Sequence, residues 1–190
     1  MKSVMNNHFA QIPKADIPRS SFKRDFGYKT AINFDFLYPI MAEEMLPADT
    51  ASVNLHAFAR LATPIFPIMD NMYLDTFYFS IPYRLVWDNW QRFNGEQDNP
   101  EDSIDYLIPT SNSGPGYAED SIHDYLDIPT NVPNLEHSVL WHRAYNLVWN
   151  EWFRDENIQD SVIVNLDDGP DPTSDYSLLK RGKRMDYFTS

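Results

Sequence analysis

The residues whose types could do chemistry in this chain are its histidines and carboxylates, and their spacing limits that chemistry. His137 and His142 stand five positions apart, so they do not share one helical face as an i, i+4 pair would. His8, His56 and His123 are isolated along the chain and read as polar surface or core histidines. The stretch Asp167-Asp-Gly-Pro-Asp-Pro-Thr-Ser-Asp175 offers the oxygens a hard cation such as calcium prefers. It lacks the spacing of a helix-loop-helix calcium loop, so it reads as a solvated acidic loop first and an ion site second. Glu43, Glu44, Asp75 and Asp88 could be paired for glycoside hydrolysis, but with 28 acids in the chain some such pair is always available. No phosphate-cradling glycine motif and no serine nucleophile elbow occurs. The absence of cysteine excludes disulfides, thiolate metal sites and cysteine nucleophiles. The expectation is a protein that is not an enzyme, with no metal and no cofactor.

The elements that would position these residues read mostly as strands. Val53, Leu55, Ala57, Ala59 and Leu61 alternate with Ser52, Asn54, His56, Phe58 and Arg60. That period of two suits a half-buried strand, because successive side chains point to opposite faces. Pro64 and Pro67 make a stiff corner, since neither can donate to a ladder, and Asp70-Asn71 gives a turn. Over 72–81, Tyr73, Asp75, Phe77, Phe79 and Ile81 alternate with Met72, Leu74, Thr76, Tyr78 and Ser80. Both faces there are largely apolar, which predicts cover on both sides. Upstream, Ile32, Phe34, Phe36, Tyr38 and Ile40 share one face of a strand predicted over 29–41. Strands at short spacing with no helix between them predict an antiparallel sandwich or barrel.

The period changes at Arg84–Asn94. Val86, Trp90 and Phe93 fall at i, i+4 and i+7 before Gly95, which predicts a short amphipathic helix. Residues 96–134 are acidic and rich in Pro, Gly, Ser and Asn, with one helical turn predicted at Ser121–Leu126. So long a connection is expected to be functional or to lie on a partner. A second helix, capped by Asn134 or Ser138, is predicted to about Asp155. Trp141, Tyr145, Val148 and Trp152 form its apolar stripe, widened by Leu140, Ala144 and Leu147, and core packing is the expected use. Ser161–Asn165 reads as a further strand and Lys180–Arg184 as a basic turn, and no internal repeat is present.

Charge divides the chain. The whole carries −13, yet residues 1–30 hold Lys2, Lys14, Arg19, Lys23, Arg24 and Lys29 against Asp16 and Asp25, a net of +4, leaving −17 for the remainder. Ile12-Pro13 and Ile17-Pro18 keep their preceding residues extended, and apolar residues are sparse over 1–28. This reads as a basic arm, either a solvated tail or a segment that meets phosphates. No apolar run approaches the length of a membrane span, and the residues after Met1 lack a signal-peptide apolar region.

The stretch "FARLATPIFPIMDNMYLDTFYFSIPYRLVWDNWQRFNGEQ", with "LVWNEWFRDENIQDSV" and "LLKRGKRMDYFTS" further on, resembles the major capsid proteins of the microviruses. These are small single-stranded DNA phages, and the likeness is to their gokushovirus-like branch. It runs from about Arg19 to the last residue. The resemblance implies a mainly β fold, a viral jelly roll of eight antiparallel strands in two sheets with helical and loop insertions. It implies an arm over 1–28, then the front part of the jelly-roll domain over 29–190, with insertions at about 84–160 lying on the shell surface or at subunit contacts. Members of the family are longer than this chain, which stops at Tyr187-Phe-Thr-Ser190 inside a segment that normally continues. The expectation is an incomplete jelly roll that exposes sheet edges and apolar patches when alone.

The function implied is a structural subunit of a small icosahedral, T=1-type shell around circular single-stranded DNA. Its partners would be other copies, other virion proteins and the genome, with no membrane. The place would be the virion, assembled in the host bacterial cytoplasm. On this picture Lys2, Lys14, Arg19, Lys23 and Arg24 face the nucleic acid, and Phe58, Arg60, Phe66, Trp87 and Trp90 lie at subunit contacts. A reading from another class is an aromatic-rich β-sandwich that binds carbohydrate, and the state of assembly separates the two.

Overall fold

The computed structural model describes residues 18–103 and 105–182. The chain divides into two compact units, Met1–Thr30 and Ala31–Ser190. In the first, described residues 18–30 form neither helix nor strand, and all but half-buried Tyr28 are exposed.

The second unit is built around 109–149. Its one sheet among the described residues pairs β1 (Thr110–Asn112) with antiparallel β2 (Glu136–Ser138), in the register Thr110↔Ser138, Ser111↔His137 and Asn112↔Glu136. The loop between them is stitched by Ser113, whose hydroxyl donates to the Val132 carbonyl at 2.7 Å and accepts from the Leu135 amide at 2.8 Å. Short helix α2 (Ile122–Tyr125) lies inside this loop. Ser121 caps it by accepting from the Asp124 amide, so the helical turn expected at 121–126 is present. Gly116, at φ +119, lets the backbone pass so close to Asn131 that a Cβ would meet its backbone at 3.0 Å.

After β2 comes α3 (Leu140–Val148), followed by a π-helical turn over Trp149–Phe153. The helix begins without a side-chain cap, although the Ser138 hydroxyl reaches the Leu140 amide at 3.4 Å. The expected helix at 84–94 is split into a 3₁₀ turn at Tyr83–Leu85 and α1 (Trp90–Phe93), with Gly95 following at φ +95.

Two apolar clusters flank α3. Ile122, Leu126, Val139 and Tyr176 form one, and Val86, Trp87 and Leu140 the other. Within the 84–160 stretch expected as insertions on the shell surface or at subunit contacts, residues 109–139 supply Ile122, Leu126 and Val139 to the first cluster. The stripe expected on α3 is not its most buried face. Trp141 and Trp152 are exposed, whereas His142, Arg143, Asn146, Trp149 and Phe153 are buried. Stepping by 4, 3 and 4 from 142, this is a proper helical face; polarity hid it from a hydrophobic pattern.

The strands expected at 51–61 and 72–81 are unpaired, and every residue over 49–80 is exposed. A strand is stable only when its backbone groups find a ladder, and among the described residues none is offered to them. Among the described residues the far end is anchored: Phe77 meets Phe153 edge-on at 5.1 Å, Phe79 meets Trp152 at 5.7 Å, and Arg181 reaches Asp75 at 3.3 Å. The strand expected over 29–41 shrinks to a bridge between Phe36 and Lys180, with Leu37 N–H on the Leu179 carbonyl at 3.0 Å. Asp35, at φ +70, breaks the alternation that the sequence suggested. Tyr145 ties this bridge to α3, donating to the Leu37 carbonyl and accepting from the Leu179 amide, both at 2.9 Å. Ser161–Asn165 is also no strand. Val162 instead exchanges both backbone bonds with the Asn150 side-chain amide, at 2.8 and 3.0 Å.

Candidate functional site

Two regions of the second unit carry its distinctive chemistry: a buried polar centre on α3 and an exposed apolar run over 53–79. The centre is Arg143, which has no exposed surface. Its Nε and Nη2 donate to the two Asp171 oxygens at 2.8 and 2.6 Å, a bidentate pair that suits the planar guanidinium. Nη1 donates to the Val86 carbonyl at 3.1 Å and the Asp167 carbonyl at 2.8 Å. Tyr176 donates a short hydrogen bond to Asp171 Oδ2. Burial works against the Arg143 charge, but its bonds to Asp171 outweigh that and hold the guanidinium more firmly protonated than usual. Burial also works against the Asp171 carboxylate, and the bonds from Arg143 and Tyr176 outweigh it, so its pKa lies below the usual range. Burial and Asp171 together push the Tyr176 hydroxyl up.

The acidic loop 167–175 is thus a clamp as well as the solvated loop its composition suggested: Asp167, Asp168, Pro170, Pro172 and Ser174 are exposed, while Asp171 is buried. Asp171 and Asp167 serve Arg143, while Asp168 accepts from Trp87 Nε1 at 2.7 Å and from the Asn89 amide at 3.0 Å. Among the described residues no group of three His, Asp or Glu could hold a metal ion. The loop fixes the 86–89 segment to α3, work that the sequence concealed because its partners are about 30 and 80 positions away in the chain.

His123, His137 and His142, which the sequence scatters, come together. His142 Nε2 lies 2.8 Å from His123 Nδ1, and Tyr117 Oη lies 2.6 Å from His137 Nε2. His137 and His142 flank the β2–α3 junction instead of sharing a helix, so helical spacing could not have revealed them.

The apolar run presents Phe58 at 92% exposure, Ile65 at 94%, Phe66 at 81% and Met69 at 96%. Arg60 is exposed among them, and Trp90 is half-buried beside Tyr83 at a ring separation of 4.4 Å. Trp87 does not belong with this set. Its side chain is fully buried in the core and bonded to Asp168, so it has no surface to offer a neighbouring subunit. Arg19, Lys23 and Arg24 are exposed in the first unit, with Lys23 Nζ 2.5 Å from Asp25. Lys2 and Lys14 lie outside the described residues. Among the described residues no helix is long and apolar enough to cross a membrane.

An exposed apolar run of this extent places the chain in the class of proteins whose apolar surface is covered by further chain or by a partner. Comparison with known proteins gives this class a family. Residues 10–190 match the family model described as capsid protein (F protein), and the chain belongs to this family of phage capsid proteins. It is 54% identical over 187 residues to capsid protein VP1 of Bdellovibrio phage phiMH2K, covering 97% of this chain and 35% of that protein. It is 45% identical over 213 residues to capsid protein VP1 of Chlamydia phage 1, covering 100% of this chain and 36% of that protein. Capsid protein VP1 of Spiroplasma virus 4 is 28% identical over 199 residues, covering 96% of this chain and 35% of that protein. The resemblance to microvirus capsid proteins is therefore a family relationship. The chain spans about a third of the length of these relatives.

Proposed function

We propose that this chain is the front part of a structural subunit that self-assembles into a small icosahedral, T=1-type shell enclosing circular single-stranded DNA. The observation that carries this reading is the exposed apolar run over 53–79 in a chain of the phage capsid family. Phe58, Arg60, Phe66 and Trp90 then lie on surfaces covered by further strands of a jelly roll or by neighbouring copies. Apolar area of this kind is worth about 25 cal/mol per Å² when removed from water, so its burial favours assembly. Shell formation takes place in the host bacterial cytoplasm, and other virion proteins complete the particle.

The basic arm, with Lys2, Lys14, Arg19, Lys23 and Arg24, faces the genome and binds phosphates with release of counterions. Electron microscopy and sedimentation of the full-length protein test the reading. Closed shells or regular oligomers are expected, and a monodisperse monomer at high concentration overturns it. For the arm, replacing Lys14, Arg19, Lys23 and Arg24 with Ala is expected to lower DNA retention. The slope of log affinity against log salt should flatten by about 0.7 for each single-strand phosphate that the variant no longer neutralises. An unchanged slope removes the arm from genome binding.

A further inference from the structure

We propose that the buried pair His123 and His142, packed against Tyr117 and His137, forms an acid-sensitive latch that joins the 110–138 hairpin and α2 to helix α3, closed at neutral pH and opened by protonation of the pair. This goes beyond assembly, and it holds or fails whether or not the chain builds a shell.

The geometry sets the proton count. His137 Nδ1 lies 2.9 Å from the Ser138 carbonyl, which can only accept, so Nδ1 carries the hydrogen. His137 Nε2 is then the acceptor, and the Tyr117 hydroxyl donates to it. His123 Nδ1 and His142 Nε2 face each other at 2.8 Å, a contact that holds one hydrogen, and the buried, partnerless His142 Nδ1 places that hydrogen on His142 Nε2, which donates to His123 Nδ1. His142 Nδ1 is buried and has no partner among the described residues. If His123 becomes an imidazolium, both of its nitrogens donate, and His142 Nε2 must turn acceptor. The His142 hydrogen then moves to Nδ1, where nothing accepts it. If His142 is protonated instead, the same orphaned N–H appears. Either route places a charge and an unsatisfied donor in the interior, and both are unfavourable there.

The groups facing the pair do not offset that charge. Tyr117 stacks on His123 at 3.7 Å between ring centres, His137 lies 5.9 Å from His123 and 5.2 Å from His142, and Tyr176 lies 5.1 Å from His142. The nearby carboxylates are turned elsewhere: Asp124 accepts from the Asp120 amide, and Asp171 is paired with Arg143. Burial, then the neighbouring imidazoles, pushes His123 down from 6.5 to about 4 and His142 to about 2.

These values are depressed in the fold, so the unfolded segment binds more protons below pH 6.5. Stability from the pair is complete above that pH and is lost as pH falls through about 4 and on toward about 2. Asp171 titrates separately: its pKa is lowered from 3.8, so its contribution begins to fade only near that pH and in more acid solution.

Backbone hydrogen exchange on the full-length protein, corrected for the intrinsic pH dependence of exchange, tests the latch between about pH 7.5 and pH 4.5. Protection over 117–148 is expected to fall by up to about tenfold per pH unit for each histidine below about pH 6.5. The double variant His123→Gln, His142→Gln keeps donors and acceptors but cannot take a proton, and its protection should be nearly flat. Equal wild-type protection at both ends of the range, or an undiminished loss in the double variant, overturns the proposal. Exchange at the imidazole Cε1 hydrogens of the wild type gives a readout that needs no variant. Both imidazoles should stay neutral in the folded protein near about pH 5, and titration of either at its ordinary value overturns the latch.

Discussion

Residues 51–80 and residues 109–149 invert each other. The first stretch has the cleanest apolar periodicity in the chain and is exposed throughout. The second has a weak pattern, acidic and punctuated by turns, and it holds Ile122, Val139, Leu140 and Arg143 with little or no exposure. Periodicity measures a segment's capacity to bury a face; it does not say which chain supplies the cover. Specific polar bonds explain the second region. Ser113 closes the hairpin loop, Ser121 caps α2, and Tyr145 and Asn150 stand in for strand partners. Such polar bonds, reaching from three positions at the Ser121 cap to 108 positions between Tyr145 and Leu37, fix a backbone that hydrophobic pattern alone would leave open.

This contrast can be broken at its strongest point first. Replacing Arg143 with Met leaves Asp171 buried without its cation, and the expected loss is about 3–5 kcal/mol. Hydrogen-exchange protection of the α3 amides measures it, and a loss under about 1 kcal/mol would mean that the pair does not hold the centre together. Trp87→Ala should cost a comparable ~3–5 kcal/mol by the same readout, because it empties a core site and frees Asp168. Gly182→Ala comes next. A Cβ there would lie 2.9 Å from the Phe153 carbonyl oxygen and 3.0 Å from the Asp155 amide nitrogen, both backbone atoms. About 1–3 kcal/mol of overpacking is expected, seen as faster exchange at the Gly182 amide that bonds Phe153. Ser121→Ala removes the α2 cap and should cost about 1 kcal/mol, visible at the Asp124 amide.

The smallest effect on folding belongs to the exposed run. Phe58→Ser with Phe66→Ser should move α3 protection by less than about 0.5 kcal/mol, since neither ring packs on the core. The same pair should weaken assembly measured by sedimentation. If it unfolds α3 instead, the two regions are not energetically separate.

Part of this was legible from residues alone. Ser121–Leu126 announced its helical turn because a turn is local, and Gly95 announced the end of α1 for the same reason. The resemblance carried by 58–97 and 147–162 led to the capsid family that the comparisons establish. The expected jelly roll is not seen among the described residues. The described residues pair only β1 with β2, plus isolated bridges, because ladders join segments and a single segment does not contain its partner. Trp87 looked like a contact residue because an aromatic pattern does not distinguish an interior from an interface.

The order of amino acids is enough to give the positive charge of residues 1–30, the prolines at 64 and 67, the helical turn at 121–126 and the family, since each rests on neighbours in the chain. Folding in three dimensions is what brings Arg143 to Asp171, Trp87 to Asp168 and His123 to His142. Those partners lie 28, 81 and 19 positions apart, and only the folded path of the backbone removes the water between them.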